Sequence, residues 1–306
     1  MSTELKAVKR IAIACGNEPD WTTNAFLKSC RKAGVEGIQL NLQNLNVDLD
    51  NSFVENKNVH DFDAVIVRDV VASGNEGLSF RFDWIKELEK EGIPVINSTE
   101  AIQNAASKFH TTYLLRKKQI PVPSTHIVQD LEKAIDIVSA SKDIVIKPLH
   151  GFKGHGIYRI VGNAVISNNG EKLPMEAEKL LRQLIEERGC LYIQEFVENP
   201  FRDIRAFIVG GEIIAAIYRS SAKGWINNLS QGGKASRCIL NDEQKELCVK
   251  ASEAVGTTYA GIDLIEGEKT DMVLEINATP SGAGIYRTWG IYPTDRIIEH
   301  VVEKLL

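Results

Sequence analysis

Two carboxylates and an amide near the carboxyl-terminal end of the chain have the spacing of a cation site. The segment "YAGIDLIEGEKTDMVLEINA" reads as two β-strands joined by a turn. With Glu268, Lys269 and Thr270 as the loop, Gly267 faces Asp271 and Asp263 falls opposite Glu275. Side chains alternate with period two, so Asn277 shares the face of Glu275. Carboxylates opposed on neighbouring strands lie roughly 5 Å apart at Cβ and repel each other. A hard cation in the gap removes that conflict. Two carboxylates and one amide oxygen suit Mg²⁺ (or Mn²⁺), which keeps waters and substrate phosphates in its other positions. The plain alternative is an exposed sheet face whose acids are merely solvated. The apolar alternation around the trio argues against it.

A second concentration of chemistry is "IVIKPLHGFKGHG", from Ile144 to Gly156. A buried strand ends at Lys147, whose ammonium can reach phosphate as a mobile point charge. Gly151, Gly154 and Gly156 follow, and glycines let backbone N–H groups approach a polyphosphate. The spacing is neither a P-loop nor a dinucleotide fingerprint. An ordinary hairpin turn with a surface lysine is the competing reading. Lys108, on a helix pattern, would by itself be a solvated lysine. His150 and His155 fit no metal spacing, and their roles, with that of Lys153, stay open.

The third group is arginine-rich. Asp203 and Arg205 share one face of the strand "DIRAFIV", Arg202 is adjacent, and Arg219 ends the partner strand. A two-residue turn at Gly210-Gly211 would set Arg219 opposite Arg202, on the face away from Arg205. Convergence of Arg205 and Arg219 therefore demands a bulge or a strand-end twist. Surface ion pairs are the ordinary fate of such arginines. The loop "NNLSQGG" beside this hairpin contributes Asn228.

These groups need a scaffold, and 306 residues, 43% hydrophobic and 25% charged, suffice for two or three packed domains. The net charge of −5 offers no generic nucleic-acid or anionic-membrane surface, so any phosphate site must be a local concentration of positive charge. No run approaches the roughly 20 apolar residues of a membrane span, and "MSTELKAVKRIAIACG" reads as a first strand, not a signal peptide. Five cysteines without a CxxC pair argue against a disulfide framework or zinc site and favour a reducing cytoplasm.

Residues 1–98 alternate strands ("RIAIACG", "GIQLNL", "FDAVIVRD", "IPVIN") with helices, the pattern of a small Rossmann-like parallel sheet. No GxGxxG follows the first strand, so a dinucleotide role is unsupported. Residues 99–193 read as an α+β unit. It opens with one helix from Thr99 to Gln119 and carries the glycine loop, "YRIV", a polar stretch and a helix through Arg188. Residues 194–306 hold the two hairpins, a helix stopped by Gly256 and a closing helix.

Taken in order, Lys108, "VIKPLHGFKGHGI", "YIQEFV", "DIRAFIVGG", "NNLSQGG", "GIDL" and "LEINATPSG" resemble an ATP-grasp ligase of the ribosomal-protein-S6 glutamate-ligase type. The resemblance covers nearly the whole chain. The texture of "FRFDWIKELEKEGIPVINSTEAIQNAASK" is similar to the tetrahydromethanopterin glutamate ligases. It implies a mixed α/β and α+β architecture: an ATP-grasp fold whose two lobes grip ATP, preceded by the Rossmann-like domain. Lys108 and Lys147 would contact the nucleotide phosphates under the lid of Gly151, Gly154 and Gly156. Gln194, Glu195, Phe196 and Val197 would form the adenine hinge, and Asp203 would bind the ribose. Asp263, Glu275 and Asn277 would hold the metal, two ions in such families. Arg205 and Arg219 would stabilise transferred phosphoryl charge, with Asn228 in the substrate-side loop. The lid "GFKGHG" departs from the family in being bulkier and more basic. Arg287 and Trp289 would shape the acceptor site.

The implied reaction is a two-step ligation. A substrate carboxylate takes the γ-phosphoryl group of ATP, and an amine then displaces phosphate from the acyl-phosphate to form an amide. The resemblance suggests L-glutamate as the amine and a pterin or peptide carboxylate as its acceptor, with no nucleic-acid or membrane partner. Self-assembly stays open. A small-molecule kinase on the same scaffold and a non-catalytic ATP-binding regulator are the rivals.

Overall fold

The computed structural model describes residues 8–16, 18–48, 51–54, 57–151, 155–221, 224–227 and 233–306. Gly154 and Asn228, and with them Lys153, lie outside the described residues. Among the described residues the strands form four sheets, and no helix is long and apolar enough to cross a membrane.

The N-terminal elements are β1 (Arg10–Cys15), α1 (Trp21–Lys32), β2 (Glu36–Asn41), β3 (Leu45–Asp48), β4 (Asn51–Val54), β5 (Lys57–Asn58), β6 (Ala64–Val67), α2 (Gly74–Lys90) and β7 (Val95–Ile96). The expected parallel sheet is there, in the order β2-β1-β6-β7. A small antiparallel meander, β3-β4-β5, interrupts it and has no counterpart in the sequence reading. Alternation along β1 serves two layers. Ile11 and Ile13 pack with Phe26 of α1, while Ala12 and Ala14 face Trp84, Ile85 and Leu88 of α2.

The next elements are α3 (Thr99–Ala106), α4 (Lys108–Lys117), β8 (Thr125–Val128), α5 (Leu131–Ala140), β9 (Asp143–Lys147), β10 (Tyr158–Val161), β11 (Ala164–Ile166), β12 (Lys172–Glu176), α6 (Ala177–Arg188) and β13 (Leu191–Glu195). The single helix expected from Thr99 to Gln119 is two. Ser107 leaves helical geometry (φ −94°, ψ 109°), and its side chain caps the second helix by accepting from the His110 N–H. A serine hydroxyl competes for backbone donors in this way, which periodicity alone does not register. The polar stretch after "YRIV" also contains strands, β11 and β12. The sheet runs β12-β11-β10-β9-β13-β8, so β12 is an edge, where Pro174 and alternate polar residues are tolerated. Leu180, Leu181 and Leu184 of α6 and Ala134 and Val138 of α5 cover one face of this sheet.

The last elements are β14 (Arg202–Val209), β15 (Glu212–Ser220), β16 (Lys234–Cys238), α7 (Asp242–Val255), β17 (Tyr259–Ile265), β18 (Met272–Asn277), α8 (Ala283–Trp289) and α9 (Pro293–Lys304). They form an antiparallel sheet ordered β16-β15-β14-β17-β18. The β14–β15 turn is built on Gly210 and Gly211, at φ +56° and +82°, conformations that side-chain-bearing residues avoid. On one face, Ile204, Ala206 and Ile208 pack with Cys248, Ala251 and Val255 of α7. The other face is divided. Phe207, Val209 and Tyr259 enter the core that also contains Ile11, Phe26 and Ile297. Further along the same strands, Asp203, Arg205 and Asp263 take those positions. The apolar end docks on the N-terminal sheet, and the charged end faces the site.

Candidate active site

The charged end is organised by register. Arg205 lies opposite Asp263, Asp263 opposite Glu275, and Gly261 opposite Asn277. The two carboxylates pair as the hairpin spacing expects, but by another route. The ladder ends at Ile265–Met272, with a register shift between Asp263 and Leu264, so Leu274 is an extra residue on β18. The turn is therefore wider than the three-residue loop. The bulge restores the Asp263–Glu275 pairing.

A second bulge settles the arginines. Phe207 pairs with Ala215 and Ile208 with Ile213, leaving Ile214 unmatched. That one-residue shift sets Arg219 opposite Asp203, not Arg202. Arg219 thereby joins Arg205 on the face of Asp263. Arg205 donates from Nε to Asp263 Oδ1 and from Nη2 to Oδ2 at 2.7 Å. Arg219 lies 2.8 Å from Asp263 Oδ2 through Nη2 and donates to Asp203 Oδ1 at 2.6 Å through Nε. Gly261 leaves little room for a side chain, since a Cβ would meet Arg205 Cδ and Pro280 Cβ at 3.0 Å and force one of them to shift.

The two acids respond differently to the same burial. Burial pushes the Asp203 carboxyl up to about 6, with Arg219 pulling the other way. Burial also acts on Asp263, but Arg205 and Arg219 together outweigh it and hold that carboxyl below its ordinary value. Asp203 is spent on Arg219 and only 7% exposed. Its role in this geometry is to orient that arginine.

Lys108 reaches the site because α4 begins there. Its N–H donates to Leu149 O at 3.1 Å, and its Nζ donates to Gly151 O at 3.3 Å and lies 3.4 Å from Glu275 Oε1. The helix break at Ser107 therefore brings the glycine loop, Lys108 and the acidic hairpin together. On β9, Ile144 and Ile146 enter the lobe's core and Lys147 points the other way. Its Nζ donates to Gln194 Oε1 at 2.6 Å. Gln194 Nε2 in turn donates to Thr125 Oγ1 and Tyr192 Oη, both at 3.0 Å, and Tyr192 Oη is 2.7 Å from Thr112 Oγ1 on α4. The Gln194 side chain, expected at the adenine hinge, holds Lys147 in this geometry. Burial lowers the Lys147 ammonium to about 8, against the pull of Glu275.

One cavity takes in Lys108, Lys147, Gln194, Glu195, Phe196 and Val197. Asp203, Arg219, Asp263 and Glu275 line it as well. Arg205 and Asn277 do not line it; Arg205 is bonded to Asp263, and Asn277 lies two residues past Glu275 on β18, opposite Gly261. Sequence reasoning missed its apolar wall: Val145, Ile157, Leu274 and Trp225. Trp225 stands edge-on to Phe196 at 6.0 Å and donates from Nε1 to Ser167 O. Arg159 covers the Phe196 ring from 3.4 Å and is held by Asp143 at 2.8 and 2.5 Å. Such a wall suits a flat heterocycle. The aromatic types were visible in the sequence, but nothing local brings Trp225 to Phe196. Gly156 accepts from Arg188 Nη2 at 3.1 Å at the base of the glycine loop, and His150 and His155 are exposed.

Among the described residues no three His, Cys, Asp or Glu side chains cluster as a metal site. The donor set is instead two carboxylates with an amide. Asn277 Nδ2 is buried without a partner, so turning the amide oxygen toward a cation breaks no hydrogen bond there. The three residues fit a magnesium ion that draws its remaining ligands from phosphate and water.

Comparison with known proteins gives a consistent picture. A family model described as a RimK-like ATP-grasp domain matches residues 105–301. The chain is 45% identical to the tetrahydromethanopterin:alpha-L-glutamate ligase of Methanosarcina acetivorans, over 96% of this chain and 99% of that one. It is 34% identical to the Methanocaldococcus jannaschii protein of the same name, over 94% and 96%. ATP-grasp ligase PsnB, solved with its minimal precursor, Mg and ADP, superposes with a TM-score of 0.70 at 21% identity, covering 96% of this chain and 97% of PsnB. That likeness is one of fold.

Proposed function

This chain belongs to the RimK-like ATP-grasp family, and on that premise we propose that it is an ATP-dependent carboxylate–amine ligase that adds L-glutamate to a pterin-cofactor or peptide carboxylate. The observation that carries the reading is the register: Asp263 opposite Glu275, beside Arg205 and Arg219 and facing Lys108 and Lys147. The relatives' names favour the pterin acceptor.

Phe196, Trp225 and Val145 would flank the adenine, and the backbone of Glu195 and Val197 would supply its hydrogen bonds. Lys147, aimed by Gln194, and Lys108, at the head of α4, hold the phosphates. Asp263, Glu275 and Asn277 would hold the magnesium or manganese, two ions as in such families, which when bound neutralises the β- and γ-phosphates. Arg205 and Arg219, now paired with Asp263, stand within reach of the transferred phosphoryl group and stabilise its charge. The glycine loop closes over the acyl-phosphate and excludes water until the amine attacks. Residues 1–98 are the preceding domain, 99–193 the lid-bearing lobe and 194–306 the metal-bearing lobe. The cysteine pattern supports a cytoplasmic location.

The test is product mass spectrometry with ATP, Mg²⁺, L-glutamate and candidate carboxylates. A ligase releases free phosphate and gains the mass of glutamate only when both carboxylate and amine are present. Transfer of phosphate to a hydroxyl without amide formation would replace this reading with a kinase. Glu275→Gln should keep a cooperative melt and lose about two decades of turnover or more, since charge neutralisation at phosphate contributes several kcal/mol. Full activity in that variant would remove Glu275 from the metal site.

A further inference from the structure

The strand order β2-β1-β6-β7 reverses direction between β1 and β6, the place where Rossmann-like sheets offer a ligand crevice. Here the chain's own groups fill it. Asp69 Oδ1 accepts from the Gly16 N–H at 2.7 Å, and Arg81 Nη1 donates to Gly16 O at 3.2 Å. Arg68, the first residue past β6, reaches from that edge toward the metal strand. Its Nη2 donates to Asp20 Oδ2 at 2.6 Å and its Nη1 to Thr279 O at 3.2 Å. Asp20 is itself fixed, because its carboxylate caps α1 by accepting from the Thr23 N–H at 2.9 Å.

Thr279 lies two residues beyond Asn277, and the residue between them is gripped too. Asn97, just past β7, donates from Nδ2 to Ala278 O at 2.5 Å and to Tyr259 O at 2.8 Å. Consecutive carbonyls after the metal strand are therefore held from the ends of two parallel strands. The two grips differ in kind. Asn97 is fully buried and also accepts from the Thr258 and Tyr259 N–H groups, so it bolts the sheets together. Among the described residues, the hydrogen bonds of Arg68 go to a capped carboxylate and the Thr279 carbonyl. Among the described residues Asn277 Nδ2, which is buried, has no hydrogen-bond partner, so its aim depends on its backbone.

We propose that Arg68 is a positioning residue for the metal site, fixing through Thr279 O the backbone that aims Asn277 at the cation, and so making the N-terminal sheet part of the reaction centre. The proposal rests on the metal-and-nucleotide reading above. A side chain serving only as mortar between domains would change stability and leave metal binding alone. A positioning residue changes metal affinity specifically, as partners of metal ligands do by about 10- to 100-fold.

The experiment uses the full chain with ADP and Mn²⁺. Electron paramagnetic resonance reads Mn²⁺ binding to the protein–ADP complex, and calorimetry in a chelator reads ADP alone. In Arg68→Met, Mn²⁺ should bind about 10- to 100-fold more weakly, with metal-free ADP affinity unchanged. Arg68→Lys, which keeps one donor for Thr279 O, should recover part of the loss. Thr22→Ala removes the other nearby contact, the Thr22–Ser281 hydroxyl pair at 3.0 Å, and should move neither reading. Wild-type Mn²⁺ affinity in Arg68→Met overturns the proposal, and so does an equal loss of metal and metal-free nucleotide. If the Met variant does not fold, the Lys variant is judged by the same two criteria. Failure of the wild-type protein to bind ADP and Mn²⁺ at all would instead overturn the functional reading beneath it.

Discussion

On the proposed reading, Lys147 should set a pH limit on nucleotide binding. Burial lowers its ammonium from 10.5 to about 8, and the group that accepts from it is the neutral amide of Gln194. Phosphate favours the charged form, so the protein without nucleotide must take up a proton to bind once the pH exceeds 8. ADP affinity should then fall by about tenfold per pH unit between 8 and 10, and Lys147→Met should bind weakly with a flat profile. Calorimetry across that range decides it; a flat wild-type profile would place the lysine elsewhere. Stability runs the other way. The unfolded chain holds this proton up to 10.5 and the fold releases it near 8, so the lysine's penalty on folding shrinks as pH rises through that window. Lys147 was legible in the sequence because it is set by its strand's own alternation; the Asp263–Glu275 pairing was reached only because the bulge at Leu274 offsets a turn wider than the three-residue loop. The use of Gln194 was not legible. Its partners Thr125 and Tyr192 come from two strands, and Thr112 comes from a helix whose start the pattern did not reveal.

At the scale of elements, the departures from simple periodicity are where the site is made. Two bulges, at Ile214 and Leu274, set which residues face Asp263. An unmatched residue on a strand leaves no mark in its composition, so the sequence could state only that Arg219 needs one to meet Arg205. The break at Ser107 is the third such departure, and it can be tested. Ser107 accepts from the His110 N–H at 3.3 Å and starts α4 at Lys108. Ser107→Ala should cost about 1 kcal/mol of stability, the usual effect of losing an N-cap. It should also weaken ADP binding several-fold, because Lys108 loses the fixed helix start that brings it to Gly151 and Glu275. A lower melting temperature with unchanged ADP affinity would make the break a matter of stability alone.

For the whole molecule, the linear order of segments understates how they depend on one another. A reading from composition and periodicity divides the chain near Thr99. Yet the core joining Ile11, Ile13 and Phe26 to Phe207, Tyr259, Ile297 and Val301 crosses that boundary, and so do the Asn97 bonds to Tyr259 and Ala278. Such contacts pair residues far apart in the chain, and no local pattern announces them. A chain beginning at Thr99 would expose the apolar half of the divided sheet face. Each large side chain returned to water costs about 1.5–3 kcal/mol, and a domain's net stability is only about 5–15 kcal/mol. Residues 99–306 alone should therefore lack a cooperative thermal transition by circular dichroism and should bind an apolar dye. Adding residues 1–98 as a separate chain should restore a sharp melt if the shared core is what the larger piece lacks. A sharp melt of residues 99–306 by themselves would show that the N-terminal sheet only covers a core complete without it.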